Sequence, residues 1–334
     1  MSMLESEEIA KHGTLMIDRT ELDECVDMAK VIDAVEDAFV GYEQGTAVMP
    51  PKTYVDLPKR NGDFRAMPAY VSGAAGIKWV NVHPDNPERY GLPTVMGVVI
   101  YSDPETAYPL AIMDGTKLTR YRTGAAAGVA TRHLAPSDAT SLGLLGAGEQ
   151  AHTQLAAIAA EVDLERVVVT DLDADAIERF CEDEADRADE VVGGTPEDVA
   201  GCDVISTTTP SREPILKREW IDAGTHINAM GADAEGKREL DPTIIEDAAV
   251  VVDDWEQCSH SGEINVAVAE GQLSRRDVYG NLGEIITDAL SAPVDGITVF
   301  DSTGLAIQDI ATARLIYETA QERGAGYTFD LVGT

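Results

Sequence analysis

The sequence predicts an α/β protein in which a parallel sheet flanked by helices is joined to a second, α+β part. From residue 140 onward, apolar and β-branched runs (TSLGLLG, RVVVTD, EVVGG, CDVISTTT, THINAMG, AVVVDD, ITVFDSTG) are spaced by helical or polar segments. Strands that alternate with helices build parallel sheets. Between residues 48 and 112 the runs TYVDL, GIKWVNV, TVMGVVIYSD and YPLAIMD are short and separated by Pro, Gly and Asn, the pattern of an antiparallel sheet. A glycine pair, Gly146 and Gly148, stands between a predicted strand and the helical segment EQAHTQLAAIAAEV.

The elements follow in order. Ile32, Val35, Phe39 and Tyr42 recur at helical spacing within residues 20 to 45 and predict an amphipathic helix. The antiparallel stretch comes next. Residues 115 to 134, GTKLTRYRTGAAAGVATRHL, read as a helix rich in Ala and Gly. In the parallel half, DADAIERFCEDEADRA and TPEDVAG supply helices between strands. Residues 306 to 324, AIQDIATARLIYETAQERG, predict one long helix that returns to the first part. The boundaries drawn are 1–125 with 308–334 for one domain and 126–307 for the other. No internal repeat or low-complexity linker interrupts them.

The length of 334 residues suits two domains with their own cores. No stretch reaches the ~18–20 apolar residues of a membrane span. The opening MSMLESEEIAKHG is acidic and lacks an apolar core, so no secretory signal is expected. The chain carries 60 acidic and 25 basic residues, a formal net charge of -35. The acids are spread along the chain, which argues against a disordered acidic tail. Such self-repulsion is screened in molar salt, where the Debye length is ~3 Å, so a cytoplasmic protein of a salt-rich cell is expected. Nucleic acid and anionic membranes need cationic patches and are excluded as partners. Cys25, Cys181, Cys202 and Cys258 are scattered without a C-x-x-C pair. This predicts buried free thiols and no structural metal or disulfide framework.

Residues Gly146 to Ala151, GAGEQA, fit G-x-G-x-x-G/A. Gly146 makes the tight turn, Gly148 lets the backbone approach a pyrophosphate, and a small third residue allows close helix–strand packing. Free N–H groups at the helix start hold the anion. Asp171 ends the next predicted strand, 23 residues after Gly148. A carboxylate there binds both ribose hydroxyls and repels a 2′-phosphate, so NAD is favoured over NADP. Thr208 and Thr209, beyond another strand, read as cofactor neighbours or as β-branched strand filler.

Three basic residues lie beside apolar strands near predicted turns: Lys52 in MPPKTYVD, Arg65 in FRAMPAY and Lys78 in GIKWVNVHPDNP. In a chain with so few lysines they point to a carboxylate site; the alternative is exposed charge on a snorkelling stem. Asp233 falls in a Gly-rich turn after a strand, suited to acid–base or water-orienting work, or to a helix cap. His83 is expected to shape the turn before Pro84, and His226 to be a satisfied core histidine.

The segments MPPKTYVDL, FRAMPAY, GIKWVNVHPDNP, GLPTVM, TTTPSREPI, GTHINAMGADAEGKREL, VVDDWEQCSHSGEINVAVAEG and FDSTGLAIQD are long and irregular. On them the chain resembles the ornithine cyclodeaminase/mu-crystallin family over nearly its whole length, and within it the archaeal alanine dehydrogenases. The resemblance implies a homodimer built from a Rossmann domain and a dimerisation and substrate domain. It implies Lys78 as the acid–base group, and Lys52, Arg65 and Thr303 near the substrate carboxylate. Arg122 would touch both substrate and cofactor. Dinucleotide contacts would come from Thr94, Gly146, Gly148, Glu149, Gln150, Asp171, Thr209, Asn228, Ala229, Met230, Lys237 and Ser302. Asp233 matches the acid that handles the reactive amine in the cyclodeaminase branch.

The activity so implied is reversible oxidative deamination of L-alanine to pyruvate and ammonia with NAD. Where cyclodeaminases carry arginine in the first basic cluster this chain has Lys52, which lacks the same bidentate grip. The alternatives are ornithine cyclodeamination, a ketimine or pyrroline-2-carboxylate reductase (commonly NADPH-dependent, which Asp171 opposes), and a non-enzymatic mu-crystallin-like binding role. The intact set of Lys78, Arg122 and Asp233 argues against the last.

Overall fold

The computed structural model describes residues 13–333. The expectation drawn from the first twelve residues lies outside them. Of the described residues, those within Met1–Arg122 and Leu305–Thr334 form one compact unit and Thr123–Gly304 the other. Along the chain the strands are β1 (Thr14–Ile17), β2 (Thr53–Leu57), β3 (Gly62–Val71), β4 (Ala74–Val82), β5 (Val95–Ser102), β6 (Pro109–Asp114), β7 (Ser141–Leu145), β8 (Arg166–Thr170), β9 (Glu190–Gly193), β10 (Val204–Thr207), β11 (His226–Ala229), β12 (Ala249–Val252), β13 (Gly280–Asn281), β14 (Thr298–Asp301) and β15 (Tyr327–Phe329).

In the first unit the described strands form one sheet in the order β15-β1-β6-β5-β4-β3-β2. It is antiparallel except where β1 runs parallel to β6. Side chains on a strand alternate between the two faces of the sheet. Met67, Ala69, Val71, Val80, Val99 and Met113 fill the inner face and are buried. The Ala306–Arg323 helix lies on β3, β4 and β5 and against the Met28–Glu43 helix. That second helix contributes Val31, Ile32, Val35 and Phe39 to the core at the expected helical spacing. The helix predicted over residues 20 to 45 is divided in two. Asp18 caps Arg19–Glu24 by a capping box with Glu21, and Met28–Glu43 follows.

The outer face of this sheet is apolar. Register places Trp79 opposite Ala66 and Val98, and Ile100 opposite Ile77 and Ile112. Phe64 stacks on Trp79 with ring centroids 5.2 Å apart. Trp79 is 39% and Val98 43% exposed, an arrangement typical of an interaction face.

In the second unit the described strands run parallel in the order β13-β12-β14-β11-β10-β7-β8-β9. Strands buried on both faces read as continuous apolar runs, as β8 and β12 do. From β7 the chain winds to one side through β8 and β9, then returns to place β10 on the other side of β7. The strand order thus reverses at β7/β10, where open α/β sheets bind ligands beyond their carboxyl ends. This is a Rossmann-type domain. The Gly115–Leu134 helix owes its small residues to close packing: a β-carbon on Gly124 would lie 2.4 Å from the Thr153 carbonyl oxygen. All four cysteines are free, and Cys25, Cys202 and Cys258 are buried. No helix among the described residues is long and apolar enough to cross a membrane.

Candidate active site

The second unit builds the glycine turn as the motif requires. Gly146 follows β7 with φ 106°, a conformation that side-chain-bearing residues avoid. Its N–H donates to the Thr170 carbonyl at 2.8 Å, and a β-carbon there would meet the Thr208 hydroxyl oxygen at 2.8 Å. Gly148 precedes the Glu149–Ile158 helix without a side-chain cap, and nothing stands within 4 Å of where its β-carbon would be. Gly148 and Glu149 are exposed, so the first-turn N–H groups are open to an anion. Gln150 caps nothing but accepts from the Thr153 hydroxyl at 3.3 Å. Asp171 stands directly after β8, its Oδ2 accepting from the Ala147 N–H at 2.8 Å and its Oδ1 from the Asp173 N–H at 3.0 Å. A glycine turn, an open helix start and a fixed carboxylate together fit a dinucleotide with free ribose hydroxyls.

The other expected contacts of this unit lie at the carboxyl ends of β10, β11 and β14. Thr208 donates to the Leu145 carbonyl by both its N–H, at 2.9 Å, and its hydroxyl, at 3.2 Å. Met230 donates to the Thr207 carbonyl and Ser302 to the Ala229 carbonyl. The Asn228 side chain is turned inward, donating to Thr131 at 3.0 Å and hydrogen-bonding His226 at 3.2 Å. His226 also meets Thr298 at 2.8 Å; burial pushes its pKa down to about 4, as befits a core histidine. Asp233 and Lys237, expected in separate roles, form an ion pair at 2.5 Å.

Sequence reasoning missed the carboxylates beneath these loops. Asp301 accepts from the N–H groups of Glu263 and Ile264, at 2.8 and 3.2 Å. Glu263 accepts from those of Glu239, at 2.8 Å, and Leu240, at 2.7 Å. Glu239 in turn accepts from the Thr209 N–H at 2.7 Å and the Thr207 hydroxyl at 2.6 Å. All three are buried. Burial pushes Asp301 up to about 7 and Glu239 and Glu263 upward as well, the Glu239 charge adding to the effect on Glu263. A fourth buried acid, Asp253, receives the Ser302 hydroxyl at 2.8 Å and the N–H groups of Thr303 and Gly304 at 3.0 Å.

The first unit gathers the basic residues. Lys78 and Arg65, expected near turns, lie inside β4 and β3 on the same inner face, Lys78 opposite Met67 and Arg65 opposite Val80. Lys78 is 1% exposed. Its ammonium donates to Asp309 Oδ1 at 2.7 Å and to the Thr119 hydroxyl at 3.2 Å. Arg122 Nε reaches the same Asp309 oxygen at 3.1 Å, and its Nη1 donates to Gln308 Oε1 at 3.2 Å. Burial drives the Lys78 pKa down to about 7; Asp309 opposes this, while Arg122 and Lys52 add to it. Arg65 pairs with Asp63 at 2.9 Å and lies over the Tyr54 ring. Thr94, just before β5, accepts the His83 N–H at 2.8 Å. His83 itself meets Asn81 at 3.0 Å and the edge of Phe64, and its carbonyl accepts the Asn86 N–H at 3.1 Å. No group of three or more metal-ligating side chains occurs among the described residues.

A general base needs a pKa near the working pH and a fixed position, and Lys78 has both. The chain is similar to known proteins over nearly its whole length. The alanine dehydrogenase of Archaeoglobus fulgidus is 46% identical over 315 residues, covering 94% of this chain and 97% of that protein. An archaeal alanine dehydrogenase dimer with bound NAD superposes with a TM-score of 0.92 at 45% identity, over 95% of this chain and 99% of that one. The Thermococcus litoralis Delta(1)-pyrroline-2-carboxylate reductase, in complex with NADH and L-proline, gives 0.90 at 35% identity, over 95% and 100%. The model of the ornithine cyclodeaminase/mu-crystallin family matches residues 12–324, and the chain belongs to that family.

Proposed function

We propose that the protein is an NAD-dependent dehydrogenase that interconverts L-alanine and pyruvate plus ammonia. The observation that carries this reading is Lys78, a buried lysine with a pKa near 7 whose ammonium shares one oxygen of Asp309 with Arg122. The likeness to archaeal alanine dehydrogenases supports it. Gly146, Gly148 and Asp171 hold the dinucleotide, with Glu149 and Gln150 at the helix start and Thr209, Met230 and Ser302 beyond the strand ends. When bound, NAD⁺ supplies the hydride acceptor.

Lys52, Arg65 and Arg122 hold the substrate carboxylate, a task for which guanidinium and ammonium groups are suited. Once the alanine ammonium has released one proton to solvent, loss of hydride from Cα leaves an iminium. Lys78, as the neutral amine, takes a proton from the water that adds to it. The resulting carbinolamine loses ammonia to give pyruvate, with Lys78 returning the proton. One alanine, one NAD⁺ and one water thus yield pyruvate, ammonium, NADH and a proton.

The unit of Met1–Arg122 and Leu305–Thr334 is proposed as the substrate and dimerisation domain. Its outer apolar sheet face would pair with a second copy, in keeping with the dimeric relative. We place the enzyme in a salt-rich cytoplasm on the strength of its charge.

A second reading, reduction of pyrroline-2-carboxylate to proline, is favoured by the likeness to the Thermococcus enzyme. NADH consumption in molar KCl, with pyruvate plus ammonium or with pyrroline-2-carboxylate, separates the two. Oxidation of NADH with the first pair and not the second is the expected result. The reverse outcome would replace the alanine reading with the reductase.

A further inference from the structure

We propose that Asp309 is a positioning residue that binds the Lys78 ammonium and the Arg122 guanidinium into one fixed unit. The proposal rests on the reading of Lys78 as the group that moves protons. A single oxygen, Asp309 Oδ1, receives Lys78 at 2.7 Å and Arg122 at 3.1 Å. The other oxygen, Oδ2, is buried and has no hydrogen-bond partner among the described residues. The carboxylate's hydrogen bonding is therefore directed at those two cations. Asp309 lies in the first turn of the Ala306–Arg323 helix, where the helix dipole favours an anion.

The neighbouring residue completes the bracket. Gln308 Oε1 accepts from Arg122 Nη1 at 3.2 Å and from the Leu305 N–H at 3.1 Å. Arg122 is thus held at two points by adjacent residues of one helix. The charged groups that face Lys78 include Asp309 on the Ala306–Arg323 helix, Arg122 on the Gly115–Leu134 helix and Lys52 before β2, and Arg65 shares its inner face from β3. Thr119 adds a hydroxyl, and the sheet neighbours Met67 and Val99 are apolar. Two buried cations side by side repel, and a fully buried lysine readily gives up its proton. Asp309 offsets both effects. It keeps the amine in place, and it keeps it basic enough to carry a proton at neutral pH.

The test compares Asp309→Asn, which preserves shape and one acceptor oxygen while removing charge, with the native enzyme. The Lys78 titration is followed by NMR with lysine-selective isotope labelling, assigned with Lys78→Arg. It is set beside the pH dependence of kcat/KM. Lys78 is expected to bind its proton about tenfold more weakly in Asp309→Asn, and the acid limb of kcat/KM to move to lower pH by the same factor. An unchanged Lys78 midpoint in a folded variant overturns the proposal. A shifted midpoint with an unshifted rate profile supports the positioning role and instead rejects Lys78 as the proton carrier. Should Asp309→Asn fail to fold, Arg122→Gln serves in its place. With the second cation gone, Asp309 acts on Lys78 alone, and the proton is expected to bind about tenfold more tightly; no change there also overturns the proposal.

Discussion

The Asp171 carboxylate is tied to the glycine turn by the N–H of Ala147, which donates to Oδ2 at 2.8 Å. The acid proposed to select the ribose is therefore set by the same loop proposed to meet the pyrophosphate. Asp171→Asn keeps an oxygen for Ala147 and removes the charge that repels a 2′-phosphate. The expected outcome is a KM for NADP at least about tenfold lower and a KM for NAD about tenfold higher, each equivalent to ~1.4 kcal/mol. Initial rates with both cofactors check it, and an unchanged NADP preference would remove Asp171 from the ribose site.

In the proposed oxidation Lys78 would act as a base only when neutral. With its pKa at about 7, kcat/KM for alanine should rise roughly tenfold per pH unit below that value and level off above it. In the reductive direction the protonated form is needed, so the corresponding limb falls above about 7. Lys78→Ala should lower kcat by about 10²–10⁴-fold and flatten the limb. A variant that keeps near-native turnover would sink the assigned role.

Trp79 and Phe64 stack on the outer face of the first sheet. A two-fold interface uses each such residue twice, and burial of a large apolar side chain contributes roughly 1.5–3 kcal/mol. Trp79→Glu should convert a dimer to monomer at micromolar concentration, as read by sedimentation velocity. A variant that sediments with the native protein would place the dimer contact elsewhere.

A net charge of -35 repels itself most strongly at low ionic strength. The Debye length shrinks from ~10 Å at 0.1 M to ~3 Å at 1 M. Melting temperature should therefore climb steadily with KCl over that range, and so should activity. A melting temperature indifferent to salt would count against the salt-rich cytoplasm.

The residues legible in the sequence were those whose neighbours form a pattern. Gly146, Gly148 and Asp171 stand in a motif with a strand before and a helix after. Lys78 stood out because lysines are few. Asp309, Glu239, Glu263 and Asp301 carried no such mark. In a chain with 60 acids, a buried carboxylate looks like a solvated one until its partner is known. For Asp309 that partner is Lys78, on a strand far back in the chain. Arg65 was not read as a strand residue. The stretch DFRAMPAY contains Pro68, which argues against a central strand. β3 accommodates it where pairing with β2 has ended at Ala66 and only an isolated bridge from Val48 to Tyr70 follows. The terminal pair β1 and β15 is too short to announce itself, and it forms only when the two ends of the first unit meet.

The succession of Asp301, Glu263 and Glu239, each gripping the backbone of the next segment, bears on how this protein can evolve. A change at any one of them leaves N–H groups of a distant loop without an acceptor, and effects in such connected sets do not add. Single-substitution libraries would score all three positions as intolerant. A variant that alters two adjacent members should be no worse than the poorer of its parents. Lineages that replaced this arrangement would then have done so through paired rather than stepwise changes.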